Sequence, residues 1–248
     1  MGFRKEFDRA KDWIVSSLTF RPASDRQCGL SVFESTIRVL GGLLAAHDLS
    51  GETAFVSKAE ELARALEPAY DTPLFFPRSE IGTFVCFSGR REDEREREGN
   101  KGTRKGERKT HSLLSTSTQK NSKNEKQKKT ELQSGTARTP QWIGGGQSAL
   151  LAEVGTVQME LLALSAATGN ASWAALGERV IEAVDLAHPA GRDGENGLLP
   201  IYVSLNDASA SGPITIGAMA DSYYEYLLKV WILKGKVKGE RYRRMWER

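Results

Sequence analysis

Glu34 and Arg38 stand four residues apart in Ser31–Asp48, SVFESTIRVLGGLLAAHD, and that step puts both side chains on one face of a helix. Phe33, Ile37, Leu40 and Leu44 recur at i, i+4, i+7 and i+11 and give the same helix an adjacent apolar stripe. An acid and an anion-binding guanidinium beside a buried face could form a sugar-cleaving site, with the carboxyl group protonating a leaving oxygen. The same residues also have a purely structural reading. Ser31-x-x-Glu34 is a capping box in which Glu34 closes the helix start, and acid–base pairs at this spacing are common on exposed helices. Spacing alone favours the structural reading.

Composition narrows the class. A chain of 248 residues allows one domain or two small ones, and a hydrophobic share of 39% is enough for a core. The net charge of +3 is unevenly spread: Arg90–Lys129 holds 14 Lys or Arg against 7 Asp or Glu, so the rest carries −4. Any argument for a nucleic-acid partner must therefore rest on that stretch. Cys28 and Cys86 form neither a disulfide framework nor a metal-ligand spacing, and His47, His111 and His188 are scattered. No run of 18 apolar residues appears. The start, MGFRKEFDRA, lacks an apolar signal core and has Glu6 where a myristoylation signal needs Ser or Thr. Taken literally, these features describe a soluble cytosolic chain. Asn170-Ala171-Ser172 argues the other way, because an N-glycosylation sequon has meaning only in the secretory pathway.

The elements that must position these residues are helices. Periodicity predicts them over about Lys5–Leu18 (Phe7, Ala10, Ile14 and Leu18 on one face), through Glu34, over Lys58–Leu66 behind a Ser57/Glu60 capping box, and over Ala149–Ala167 with a stop at Gly169. Further helices follow over Ser172–Leu186 and Met219–Leu233, and a seventh begins near Gly239. LLPIYVS and PITIG, between Gly197 and Gly217, read as a β-hairpin. Residues 82–134 break this rhythm. Between Arg90 and Lys129 only Leu113 and Leu114 are large and apolar, so this stretch is expected to be disordered. It reads as a solvated insertion or retained intron sequence rather than a nucleic-acid arm, since acids are mixed in and no aromatic is available for base stacking.

The chain resembles the class I α-1,2-mannosidases, glycoside hydrolase family 47. SVFESTIRVLGGLLAAHDLSGE (31–52), KAEELARALEPAYDTP (58–73), LAEVGTVQMELLALSAATGN (151–170), NGLLPIYV (196–203) and TIGAMADSYYEYLLKVWILKG (215–235) carry the likeness in order and spacing. The resemblance implies an all-α fold, part of an (αα)7 barrel with a short β-hairpin and a disordered insertion. Residues 1–81 and 135–248 would be two pieces of one catalytic domain, interrupted by 82–134.

Family members are inverting hydrolases that use carboxylates on opposite sides of the anomeric carbon, far enough apart to hold a water. The resemblance places the proton donor on Glu34, in F-E-x-x-I-R, and this reverses the preference for a structural role. Such a donor needs a raised pKa in a shielded pocket. Arg38 becomes a substrate or carboxylate clamp. Asp221, in A-D-S-Y-Y-E-Y-L, becomes a second active-site carboxylate, although it also suits a helix N-terminus. Glu153, in A-E-V-G-T, lines the cavity by the same resemblance; Glu160, seven residues on, has no stronger case for function than for structure. Glu225 with Lys229 reads as a structural pair, and Tyr223, Tyr224 and Tyr226 as core. Met219, two residues before Asp221, is apolar where ER-type members carry Arg, which points to a Golgi-like, broader trimming preference.

Two departures qualify this. The chain opens inside what resembles the family's L-W-I-M-G segment, without the preceding helix or any anchor. It stops before the positions of the catalytic base and of the Thr that binds Ca²⁺, so Ca²⁺ is implied only by the family and no metal ligand is assigned here. A half-toroid should also expose an apolar seam and lack useful hydrolase activity by itself. The expected partner is the high-mannose N-glycan of glycoproteins, with no nucleic acid, and the expected location of the parent is the endoplasmic reticulum or Golgi, membrane-anchored. The rival reading is a non-catalytic glycan-binding relative of the degradation-enhancing kind; those tend to read G-I-D-S-F-Y-E-Y, whereas this chain has Ala220-Asp221-Ser222-Tyr223-Tyr224.

Overall fold

A computed structural model describes residues 2–20, 29–82, 137–187, 197–237 and 240–248. Cys28, Cys86, His111, His188 and most of the 82–134 stretch lie outside them.

Helix α1, Arg4–Ser17, lies on the surface with none of its residues buried. It is held to α3, Thr53–Leu66, by an edge-on Phe7–Phe55 contact of 6.0 Å and by Lys58, whose ammonium donates to the Leu18 carbonyl at 2.6 Å. The apolar face predicted for α1 is therefore real but only partly covered. Helix α2 is composite: Val32–Glu34, a π-helical turn at Ser35–Leu40, then Gly41–Ser50. Gly51 ends it at φ 75°, a left-handed conformation that glycine adopts without strain, its N–H returning to the His47 carbonyl at 2.7 Å.

Two expectations need correction. Helix α3 begins at Thr53 rather than Lys58, and Ser57 sits inside it with its hydroxyl on the Thr53 carbonyl, so Ser57/Glu60 is no capping box. Five buried residues, Phe55, Ala59, Leu62, Ala63 and Leu66, carry the helix across that supposed start. The single helix predicted over Ala149–Ala167 is three elements: strand β4 (Ser148–Leu150), helix α4 (Leu151–Gly155) and helix α5 (Gln158–Thr168). The break at Thr156–Val157 is spanned by Gln158, whose side chain accepts from the Val157 N–H at 3.2 Å and donates to the Val154 carbonyl at 3.0 Å. An apolar run cannot reveal that substitution of side chain for backbone.

Helix α6, Ala171–Leu186, packs along α5; α7, Asp221–Leu233, packs on α4; and α8, Arg241–Trp246, packs on α7. The core they enclose includes Phe55, Leu62, Leu164, Ile181 and Tyr223.

Two antiparallel sheets of three strands join the helices, more β-structure than the one hairpin expected. A hairpin is present, but its second arm precedes most of PITIG: β5 (Pro200–Ser204) pairs with β6 (Ala210–Ile214), and β4 adds to it as a third strand. In the other sheet β2 (Glu80–Gly82) lies between β1 (Gly29–Ser31) and β3 (Ala137–Arg138), with Ser31 opposite Glu80 and Glu80 opposite Arg138. The two ends of the intervening segment are thus side by side. The fold is helix-rich, with two small sheets and no closed ring of helices among the described residues.

Candidate active site

Glu34 closes the first turn of α2. The Ser31 hydroxyl accepts its backbone N–H at 3.1 Å, so the predicted cap exists, but only in half. The Glu34 carboxylate does not reach back to Ser31; it forms an ion pair with Arg38 inside the π turn. Both side chains are open, 46% exposed for Glu34 and 72% for Arg38. That corrects the expectation of a shielded acid: nothing among the described residues covers this pair. The guanidinium is held charged more firmly than usual by the carboxylate it contacts.

From this turn a chain of hydrogen bonds leads to the other predicted residues. The Val32 N–H, beginning α2, donates to the Ser79 carbonyl at 2.9 Å. The Ser79 hydroxyl donates to a Glu153 carboxylate oxygen at 2.6 Å. Next to Glu153, the Ala152 N–H donates to the Met219 carbonyl at 2.8 Å. Two residues on, Asp221 opens α7, with its carboxylate accepting from the Ser222 N–H at 2.9 Å, and Ser222 meets the Thr156 hydroxyl across the α4–α7 contact at 2.9 Å. Glu34, Glu153 and Asp221 therefore all stand in the first turns of helices whose starts are tied together. Those N-termini carry partial positive charge, which suits the carboxylates and any anionic or polar group brought to them.

The charges are not equivalent. Burial raises the Glu153 pKa, opposed by the hydroxyl of Ser79 and reinforced by the nearby Glu80 carboxylate. Glu80 is itself clamped by Arg138, with contacts at 2.7 and 2.9 Å. Met219 is held at φ 78°, an unusual conformation for a side chain with a Cβ, and is 39% exposed. The position that the resemblance links to substrate choice is thus fixed by backbone strain and by its bond to Ala152.

Sequence reasoning missed Ser79, Glu80 and Arg138. Glu80 and Arg138 are 58 residues apart and meet only because β2 and β3 pair, which no local pattern announces. It also undervalued Glu160. This side chain is buried, accepts the Tyr226 hydroxyl at 2.8 Å and leaves its other oxygen without a hydrogen-bond partner among the described residues. It lies against Gly41, where a Cβ would be 3.6 Å from it. Burial raises its pKa despite the Tyr226 donor. Of the tyrosines, Tyr223 is core as expected, whereas Tyr226 is a polar partner. Glu225 and Lys229 form the expected surface pair at 2.7 Å.

Among the described residues, no group of three or more His, Cys, Asp or Glu side chains is gathered to hold a metal. A separate cavity of about 480 Å³, lined by Arg64, Tyr70, Phe75, Trp173 and Arg179, contains none of the predicted residues.

Comparison with known proteins bears on this arrangement. Aligned over its whole length, the chain is 36% identical to mannosyl-oligosaccharide 1,2-alpha-mannosidase MNS1 of Arabidopsis thaliana, covering 34% of that protein. It is 32% identical to the human endoplasmic reticulum mannosyl-oligosaccharide 1,2-alpha-mannosidase over 95% of this chain and 26% of that one. The chain thus spans between a quarter and about a third of these relatives' length. The solved alpha-1,2-mannosidase from Trichoderma reesei superposes with a TM-score of 0.65 at 22% identity, covering 96% of this chain and 40% of that structure, a likeness of fold. The sequence model of glycosyl hydrolase family 47 matches residues 1–103 and 110–248, and to that family this chain belongs.

Proposed function

We propose that the chain forms part of the catalytic domain of an α-1,2-mannosidase that trims high-mannose N-glycans by inverting hydrolysis. The observation that carries the reading is the hydrogen-bonded series Val32–Ser79–Glu153 and Ala152–Met219, which draws the starts of three acid-bearing helices together. In this reading substrate draws Arg38 out of the ion pair, the freed Glu34 carboxylate takes a proton from water, and Glu34 then donates that proton to the leaving oxygen. Asp221 supplies a second negative group toward the developing positive charge of the sugar ring. Glu153, kept more easily protonated by burial, can donate to a sugar hydroxyl or accept from one. Met219 offers an apolar contact where a charged side chain would narrow the choice of branch. Residues 1–81 and 135–248 act as one unit, with 82–134 inserted into a connection between paired strands.

Ca²⁺ belongs to this proposal only through the family, and no step above depends on it. The protein is assigned to the lumen of the endoplasmic reticulum or Golgi on the strength of relatives acting on such glycans, with a membrane anchor expected in the parent. No helix among the described residues is long and apolar enough to cross a membrane.

The test is Glu34→Gln in the longest protein made from this gene, assayed for mannose release from an α-1,2-linked oligosaccharide. Loss of a positioned general acid should lower kcat by about 10²- to 10⁴-fold with little change in thermal stability, since the side chain is half exposed and the cap uses only its backbone. An unaltered kcat would remove Glu34 from the chemistry. Glycan binding with no mannose release, in wild type and variant alike, would identify the non-catalytic rival.

A further inference from the structure

Asn170-Ala171-Ser172 is the only Asn-x-Ser/Thr sequon with x other than Pro in the 248 residues, and nothing in the candidate site uses it. It falls at the corner between α5 and α6. Gly169, at φ 71°, turns the chain outward into open space, where a Cβ would meet nothing within 4 Å. Gly169, Ala171 and Ser172 are exposed. The Asn170 backbone N–H is held by the Thr168 hydroxyl at 3.2 Å, and its side-chain oxygen caps α6 by accepting the Ser172 N–H at 3.1 Å and the Ser172 hydroxyl at 2.8 Å. Both of those bonds fall on Oδ1. Among the described residues Nδ2 has no hydrogen-bond partner.

We infer that Asn170 is an N-glycosylation site. The inference rests on the secretory-pathway reading above. The donor is a polyprenyl-pyrophosphate-linked oligosaccharide, acted on by the host's oligosaccharyl-transferring enzyme. The Nδ2–C1 bond forms as the C1–O bond to pyrophosphate breaks; the electron pair leaves with the pyrophosphate, and Nδ2 gives up one proton. The product still offers Oδ1, so the α6 cap survives the modification. Ser172, the residue a sequon requires, is also the residue that orients the asparagine here. The corner lies at the far end of α5 from Glu160, roughly 12 Å along the helix axis at ~1.5 Å per residue, so the glycan is attached away from the helix starts that hold the candidate site.

The plain alternative is that Asn170 is a helix cap and nothing more. Asp caps about as well as Asn, which separates the two. The full chain, given an added secretory leader in a eukaryotic host, should migrate one glycan step more slowly, and an N-glycan amidase should abolish the step while converting Asn170 to Asp. Asn170→Asp should lose the step yet melt with the wild type. Ser172→Ala should lose it too. A chain recovered from the lumen, protected from added protease and bearing no glycan, would overturn the site itself. A glycosylated leader-driven chain beside a bare native protein would overturn instead the secretory reading on which the inference rests.

Discussion

Glu160 is the residue whose environment asks most of it. Its carboxyl is buried, one oxygen takes the Tyr226 hydroxyl, the other has no hydrogen-bond partner among the described residues, and Lys229 offers only a modest opposing charge. A buried carboxylate left half-satisfied is costly, and the protonated acid costs less. Because burial raises the folded-state pKa above its unfolded value, the group's contribution to stability is fully present below the unfolded pKa and is lost as pH rises through the folded one. Glu160→Gln keeps the acceptor for Tyr226 but cannot titrate. The variant should therefore be less stable than wild type near about pH 4, by roughly 1–3 kcal/mol for the newly buried amide hydrogens, and the gap should narrow toward about pH 8. Urea melts of both proteins at the two pH values read this directly; a constant gap would mean that Glu160 does not titrate with folding.

At the scale of elements, what could be read from the chain depended on how far apart the partners are. Glu34, Arg38 and Ser31 lie within one or two helical turns, so their pairing and cap were legible from spacing. The break between α4 and α5 was not, since it depends on Gln158 replacing backbone hydrogen bonds within an unbroken apolar run. Neither was the sheet that sets Arg138 against Glu80, whose register only long-range pairing fixes. The shielded acid implied by family likeness was not found either, because the elements described leave α2 uncovered on that side. The same sheet yields a prediction. Ile81 stands opposite Ala137 in an antiparallel pair, so a two-residue Asn-Gly turn can replace the whole connection between Ile81 and Ala137. Shortening a loop of some fifty residues to a few is nearly four halvings, worth about 2 kcal/mol at ~0.6 kcal/mol each. The shortened chain should melt at or above the wild-type temperature, by circular dichroism; a large drop would show that residues in the removed stretch hold the fold together.

For the whole molecule, the question is what the chain does with the apolar surface it leaves in water. Trp13 and Val15 on α1, Ile214 and Ile216 on and beyond β6, and Ile232, Leu233 and Val237 at the end of α7 are all 46% exposed or more. Scattered exposure is ordinary, but runs of this kind mark surfaces that normally meet something. The relatives are about three or four times longer, so each has further chain available to cover such faces. Strand β6 is the edge of its sheet, and Pro213 within it lacks a backbone donor, which disfavours association by strand addition. The 248-residue chain should therefore self-associate, its sedimentation coefficient rising over a tenfold range of concentration. The version with the shortened connection should behave alike, which separates this surface from the basic stretch. Ile214→Lys combined with Ile216→Lys should weaken association by about a hundredfold or more, since each removes about 1.5–3 kcal/mol of buried isoleucine, tenfold for every ~1.4 kcal/mol, while adding like charges to both partners. A chain that stays monomeric at every concentration would mean that these side chains are covered within the molecule itself.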